Sequence, residues 1–400
     1  MSESVALVAV ALPRPAAARA VVAAWEAGEA VLPLDPSAPE AELKGLLAAA
    51  RPTHLLDGDG RRRLAGGEPA EAGLAAVVAT SGTGGAPKLV ELGADAVGWS
   101  AGATSAALGA GPGDRWLCCV PVHGVAGLAV VARAWRTGLP LEVHEGFDPA
   151  AVAAAAGRAT LVSLVPTMLR RLLAAGDRPA RFRRVLLGGG PVPADLAAGA
   201  AARGVAVVRS YGLTETFGGM VHDGHPLAGV ELRVGLEGEL LARGPMLLRR
   251  YRGDPVRTAA ALRGGWLHTG DLGRLDPGGR LTVLGRRDDL VISGGVNVHP
   301  DEVEAVLATH PGVAEAAVAG RPDPEWGQRV AAFVVPRDPA SPPTLAELRA
   351  FTRERLAAAK APRELVLVAS LPRGPSGKLL RRLLAGGEAH VDAGVGRDLP

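Results

Sequence analysis

The stretch LAAVVATSGTGGAPK, residues 74–88, decides the fold class. Its first seven residues are small or apolar without a polar interruption, which reads as a strand covered on both faces, as in parallel sheets. The run gives way after Thr80 to Ser81, Gly82, Thr83 and Gly84, and closes on Pro87 and Lys88. Glycines let a backbone come close to a polyanion, and Ser81, Thr83 and Lys88 can donate to phosphate oxygens. It is not a P-loop, because Leu89 stands where Ser or Thr should follow the lysine. A strand that runs into a glycine loop is where open α/β sheets present their ligands.

The pattern repeats on both sides of this stretch. Upstream, VALVAVAL, PAAARAVVAAWEAG closed by Gly28, AVLPLD, PEAELKGLLAAA and THLL alternate strand and helix periodicities. Downstream come a helix from Ala94, a buried strand RWLCCVPV, ATLVSLVP, a helix TMLRRLLAAG, RRVLLGGG and AVVRSYG. Such alternation predicts a parallel, covered sheet. From about Gly229 the period changes to two with glycine turns, which predicts antiparallel hairpins resembling a small barrel. A separate mixed unit then follows, with a helix at 300–308, strands VAEAAVAG and RVAAFVVP, a helix at 344–358 and a strand ELVLVA. The expected class is therefore α/β, with a large N-terminal domain at 1–284 and a smaller α+β domain at 290–400. The charged run 285–289 lies between them.

Composition excludes several functions. A chain of 400 residues, 48% hydrophobic and 21% charged, is globular and large enough for two or three packed units. Net charge is +3, with signs interspersed, and aromatics make up 3%, so neither a basic stripe nor a stacking platform for nucleic acid is present. No apolar run reaches the length of a membrane span, and VALVAVAL lacks a basic n-region. Cys118 and Cys119 are neighbours on an apolar strand, which favours a buried pair over a metal or thiol site. The expected location is cytoplasmic, and a homodimer is an open option.

Two further strings carry chemistry. SYGLTET, residues 210–216, supplies an aromatic face at Tyr211, a hydroxyl at Thr214 and a carboxylate at Glu215 suited to Mg²⁺ beside phosphate. GWLHTGD, 265–271, and GRRDD, 285–289, supply Asp271 for a ribose and Arg286 beside it. The 44 basic residues comprise 4 Lys and 40 Arg, so lysines that persist invite a reason. Lys88 lies in the glycine loop and Lys378 in RGPSGKLLRR, where a slim ammonium on a flexible stem can enter a crowded site.

In this order and spacing the motifs resemble the adenylate-forming superfamily of acyl-CoA synthetases, adenylation domains and luciferase-like enzymes, across nearly all of residues 20–385. The resemblance implies that Thr80, Ser81, Gly82, Thr83, Gly84 and Lys88 bind the β- and γ-phosphates of ATP. Gly189, Gly190, Pro191, Ser210, Tyr211 and Gly212 would frame the adenine. Thr214 would contact phosphate, Glu215 would bind Mg²⁺, and Asp271 with Arg286 would hold the ribose. Ser293, Gly294 and Gly295 would line the pantetheine tunnel for CoA, Asp288 would be the hinge, and Lys378 the adenylation lysine on a mobile C-terminal domain. This chain departs from the family string SGTTGxPKG at Gly84 and Leu89, which removes one phosphate hydroxyl.

SLVPTMLRRLL, LLGGGPVPADL and SYGLTETFGGMVHDGHPLAGVELRV are similar to o-succinylbenzoate-CoA ligases of menaquinone biosynthesis. The short front, about eighty residues before the phosphate loop, agrees. A dicarboxylate substrate needs a cation or several donors for its free carboxylate. Ser163, Thr167 and His123 are candidates, with Gly189 in the pocket wall. His123 stands one position before the family's histidine, and gating or a structural strand end are both open. The implied activity is ATP-dependent ligation of a carboxylic acid to CoA through an acyl-adenylate. Alternatives are another aromatic or medium-chain acid, loading of a carrier protein, or binding without catalysis.

Overall fold

The computed structural model describes residues 4–80, 88–176, 178–373 and 379–385. Two seven-stranded sheets form the larger part. In the first, Leu7–Val10 pairs in parallel with Ala30–Pro33 and His54–Asp57, and Ala30–Pro33 pairs in parallel with Leu74–Thr80. Antiparallel strands complete it, Gly60–Arg63 at one edge and Lys88–Gly93 followed by Arg250–Tyr251 at the other. In the second, Leu141–Val143, Trp116–Cys118, Leu161–Leu164, Arg184–Leu187 and Val207–Leu213 run parallel, and Gly218–His222 turns back beside the last.

Period-2 alternation sorts the side chains between the faces. Val8 and Val10 join Val31, Ala76 and Val78 in a core shared with Trp116, Cys118 and Leu161 of the second sheet and with helices Arg14–Glu26, Ala94–Ala107 and Val125–Thr137. Their neighbours Leu7 and Ala9 face the other way, onto helix Glu40–Ala50. Cys119 and Leu117 likewise point to a separate core behind the second sheet. Both cysteines are buried, and burial pushes each thiol up to about 12, so neither is a nucleophile at neutral pH.

The hairpin region is a five-stranded antiparallel sheet of Glu231–Val234, Glu239–Arg243, Trp266–Leu275, Leu262–Arg263 and Leu281–Arg286, with the long strand Trp266–Leu275 taking three partners. The C-terminal part packs Val291–Ser293, Val296–Val298, Val313–Asp323, Gly327–Pro336 and Glu364–Leu367 against helices Pro300–Leu307 and Leu345–Arg353. Its two apolar clusters contain no residue before Val291.

Two element lengths differ from expectation. The strand expected over RWLCCVPV stops at Cys118, where its pairing with Leu141–Val143 and Leu161–Leu164 ends. The helix expected at 344–358 ends at Arg353, its start fixed by a capping box between Thr344 and Glu347. The Ala-rich segment after it gives up helix propensity so that Glu364–Leu367 can lie parallel to Gly327–Pro336.

Candidate active site

The site gathers at the C-terminal ends of the parallel strands. Thr80 and Lys88 face each other in the register of the phosphate hairpin. Ser81, Gly82, Thr83 and Gly84 lie outside the described residues, as does Lys378. Arg250–Tyr251 pairs with Glu91 and Val90 of the same hairpin, and the Tyr251 hydroxyl donates to Glu215 Oε1 at 2.8 Å. One hydrogen bond thus ties the base of the phosphate hairpin to the expected metal carboxylate. Burial, then the Glu215 charge, raises the Tyr251 pKa far above the phenol range, so it stays a donor.

Glu215 sits in a one-turn 3₁₀ segment, Thr214–Thr216, whose geometry is set by its neighbours. The Thr216 hydroxyl accepts from Leu213 N–H at 2.9 Å and bonds to the Gly218 carbonyl at 2.7 Å. The strand bulges between Tyr211 and Gly212, where a Cβ on Gly212 would fall 1.8 Å from Gly218 O. Only glycine permits that approach, which explains its place in the string.

Asp271 and Arg286 are register partners on adjacent strands, and Arg286 Nη1 donates to Asp271 Oδ1 at 2.8 Å. The Tyr211 hydroxyl donates to the other oxygen, Oδ2, at 2.7 Å. Asp271 is buried, and burial followed by its negative charge pushes the Tyr211 pKa well up. Tyr211, Asp271 and Arg286, spread over 75 residues of sequence, form one hydrogen-bonded unit, with the tyrosine ring held by its hydroxyl. Asp271 keeps unused lone pairs for further donors. Gly188 and Gly189 cross Ser210 and Val165 closely: a Cβ on Gly188 would meet Ser210 O at 3.0 Å, and one on Gly189 would meet Val165 Cγ1 at 3.2 Å.

Among the described residues no group of three or more His, Cys, Asp or Glu could hold a metal ion. Glu215, with Oε2 not taken by Tyr251, fits the way Mg²⁺ is commonly held, by one carboxylate together with substrate phosphates.

Ser163 stands on the strand Leu161–Leu164, and Thr167 in the first turn of helix Pro166–Ala174. His123 lies 3.7 Å from Asp35, and burial lowers its pKa. Ser293, Gly294 and Gly295 are placed elsewhere: Ser293 pairs with Gly327, and Gly294 abuts Trp326. Asp288 follows Arg286 in the turn that leaves the hairpin sheet and contributes to the positive character of that guanidinium.

The sequence reading missed Arg133. It lies on the buried face of helix Val125–Thr137, 3% exposed, and donates through Nη1 to Ser163 Oγ at 3.2 Å. Its Cζ lies 5.4 Å from the centroid of the Trp116 ring, and its Nε is buried with no partner. Burial lowers its pKa to about 10, which leaves it a cation at neutral pH without a carboxylate beside it among the described residues. Close to it, His222 is buried with both ring nitrogens unpartnered, and burial and the Arg133 charge lower its pKa to about 4. A Cβ on Gly219 would meet both Ser210 Oγ and His222 Nε2, which places these groups around one space. The signal was in the sequence: a lone arginine within GLAVVARAW is a charge on an apolar helix face.

Residues 63–252 match the family model AMP-binding enzyme, and residues 302–378 match AMP-binding enzyme C-terminal domain. The chain is 44% identical over 330 residues to a probable 2-succinylbenzoate–CoA ligase of Mycobacterium tuberculosis strain H37Rv, covering 80% of this chain and 85% of the relative. It is 41% identical to the 2-succinylbenzoate–CoA ligase of Geobacillus kaustophilus, over 78% of this chain and 69% of the relative. Among solved structures, it is similar to the o-succinylbenzoate CoA synthetase of Bacillus subtilis in complex with the acyl-adenylate intermediate, with TM-score 0.85 and 32% identity over 95% of this chain and 88% of that one. The same B. subtilis enzyme with ATP and magnesium ion gives TM-score 0.84 at 31% identity, covering 95% and 89%.

Proposed function

The chain belongs to the AMP-binding enzyme family, and on that premise we propose that it is an ATP-dependent o-succinylbenzoate–CoA ligase of menaquinone biosynthesis. One carboxylate oxygen of the acid attacks the α-phosphorus of ATP, an O–P bond forms, and diphosphate leaves. The CoA sulfur then attacks the acyl carbonyl, the C–S bond forms, the C–O bond to AMP breaks, and the thiol proton is released. The protein needs no nucleophile for this, only alignment and positive charge.

The roles follow from the groupings described above. Tyr211, Asp271 and Arg286 hold the adenosine, with Asp271 accepting from the ribose hydroxyls. Thr80, Ser81, Gly82, Thr83, Gly84 and Lys88 bind the phosphates, and Thr214 contacts the α-phosphate. Glu215 would hold Mg²⁺ together with phosphate oxygens, and the ion would supply positive charge beside the triphosphate. Lys378 carries a positive charge to the reacting carboxylate and α-phosphate. Residues 285–289 are the hinge about which the C-terminal unit turns between the half-reactions, and the confinement of two apolar clusters to residues beyond 290 supports that division. No helix among the described residues is long and apolar enough to cross a membrane. We place the enzyme in the cytoplasm, with a homodimer as a state for sedimentation to decide.

The observation that carries the choice of acid is the Arg133–Ser163 pair. A buried guanidinium with one hydroxyl partner and no carboxylate among the described residues is expensive to keep unless a ligand supplies the anion. A substrate with two carboxylates does so, one being activated and the other held by Arg133. Arg133→Met should lower kcat/KM for o-succinylbenzoate by roughly a hundredfold or more, the scale for a buried charge pair that loses one member. For an analogue without the carboxylate that is not activated, the same change should cost less than about threefold. An equal loss with both acids would remove the assignment.

A further inference from the structure

Glu215 is held by one short segment, residues 248–252. The Leu248 N–H donates to the Glu215 carbonyl at 2.8 Å, and the Tyr251 hydroxyl donates to its Oε1 at 2.8 Å. We propose that Tyr251 is the positioning residue of the metal carboxylate: its hydroxyl occupies Oε1, leaves Oε2 for Mg²⁺, and fixes the carboxylate relative to the phosphate hairpin. This inference rests on the reading of Glu215 as the magnesium carboxylate of an ATP-dependent ligase.

The segment is itself anchored to that hairpin. Arg250 and Tyr251 pair with Glu91 and Val90 of the strand Lys88–Gly93, whose first residue is the phosphate lysine. The ladder continues on both sides, Arg249 N–H donating to the Glu91 carbonyl and Arg252 N–H to the Leu89 carbonyl, each at 2.8 Å. Tyr251 stands opposite Val90, and period-2 alternation puts Lys88, two residues back, on the same face of the sheet. Glu91 is 1% exposed, and its carboxylate is taken by Arg250 Nε at 2.7 Å and Arg252 Nη1 at 2.9 Å. Such a buried pair resists sliding, because the loss of either cation weakens the pairing of a buried charge. Arg252 also donates to the carbonyls of Ala50 at 2.7 Å and Glu68 at 3.0 Å. The segment is thus a spacer of fixed length between Lys88 and Glu215.

The chemistry of the bond suits this role. A phenol has one hydrogen to give and an ionised carboxylate only accepts, so the direction of the bond is set. The Tyr251 ring is 6% exposed and lies in the main core with Val90, Phe217 and Leu248, which holds the hydroxyl in place. Mg²⁺ takes one or two carboxylates beside phosphate oxygens, and a carboxylate already oriented by a second partner binds it without first losing rotational freedom. Phenylalanine at this position keeps the ring and its packing and removes only the hydrogen bond.

The test is ATP binding by calorimetry, without acid, once in Mg²⁺ and once in EDTA. In Tyr251→Phe the Kd in Mg²⁺ should rise roughly tenfold or more, the scale for removing the second partner of a metal ligand, while the Kd in EDTA stays within about twofold. An equal rise in both media, or none in either, would overturn the proposal. Glu215→Gln is the reference: it should abolish the gain in affinity that Mg²⁺ brings, and Tyr251→Phe added to it should change nothing further. If Mg²⁺ still improves ATP binding in Glu215→Gln, the metal reading of Glu215 fails and the proposal with it. If Glu215→Gln loses the gain and Tyr251→Phe keeps it, the metal reading stands and only the positioning role falls.

Discussion

Arg133 shows what a single residue can cost and supply. A buried charge without a full set of partners destabilises the folded chain, and replacement by an apolar side chain of similar length often stabilises it. Arg133→Met should therefore raise the stability of the ligand-free protein by about 1–3 kcal/mol in denaturant unfolding while it removes acid selectivity. Unchanged or reduced stability would mean that Trp116 and Ser163 already satisfy the guanidinium. His222 sets a pH dependence with the opposite character. Burial and Arg133 depress its native pKa to about 4 from a usual 6.5, so as pH falls the unfolded chain takes the proton first. The neutral ring's contribution is intact above about 6.5 and is lost as pH falls toward 4, on the order of 1–3 kcal/mol. Unfolding at about pH 7 and pH 5 checks this, and His222→Gln should flatten the difference.

Arg381 is the main junction between elements in the C-terminal part. It follows Lys378 by three positions, and its guanidinium bonds to Asp289 at 2.7 Å, Asp301 at 2.8 Å, Glu304 at 2.7 Å and the Val318 carbonyl at 2.9 Å. It thereby joins the short helix Arg381–Ala385, the helix Pro300–Leu307, the strand Val313–Asp323 and Asp289, the last residue of the proposed hinge. Burial drives Glu304 up against the pull of Arg381, so the cluster depends on that one cation. Arg381→Met leaves three carboxylates together and should cost roughly 3–5 kcal/mol in thermal or denaturant unfolding. Adenylate formation should slow as the segment that holds Lys378 loses its anchor. Wild-type melting would show that the three carboxylates find solvent instead.

At the scale of the molecule, the proposed hinge gives the C-terminal unit two placements, one for each half-reaction. Asp288 lies in the turn from Arg286, which touches Asp271, to Asp289, which touches Arg381. Proline would fix φ there and bias Arg287 toward an extended backbone. Asp288→Pro should suppress thioester formation from preformed acyl-adenylate by roughly tenfold or more while adenylate formation keeps most of its rate. Wild-type rates in both steps would place the pivot elsewhere.

The sequence by itself determined the α/β class, the order of strands and helices, and the strings that present Glu215, Asp271, Arg286 and the phosphate hairpin. These features are written locally, in hydrophobic periods, in turns that only glycine can make, and in motif spacing. Tyr211, Asp271 and Arg286 were legible one by one, but their union by two hydrogen bonds depends on strands that meet only in the folded sheet. The sequence placed Arg133 within an apolar helical run, but its partners Ser163 and Trp116 come from strands that meet the helix only in the fold. The tertiary structure decided that point, because burial fixes the worth of a charge and burial is a property of the whole fold.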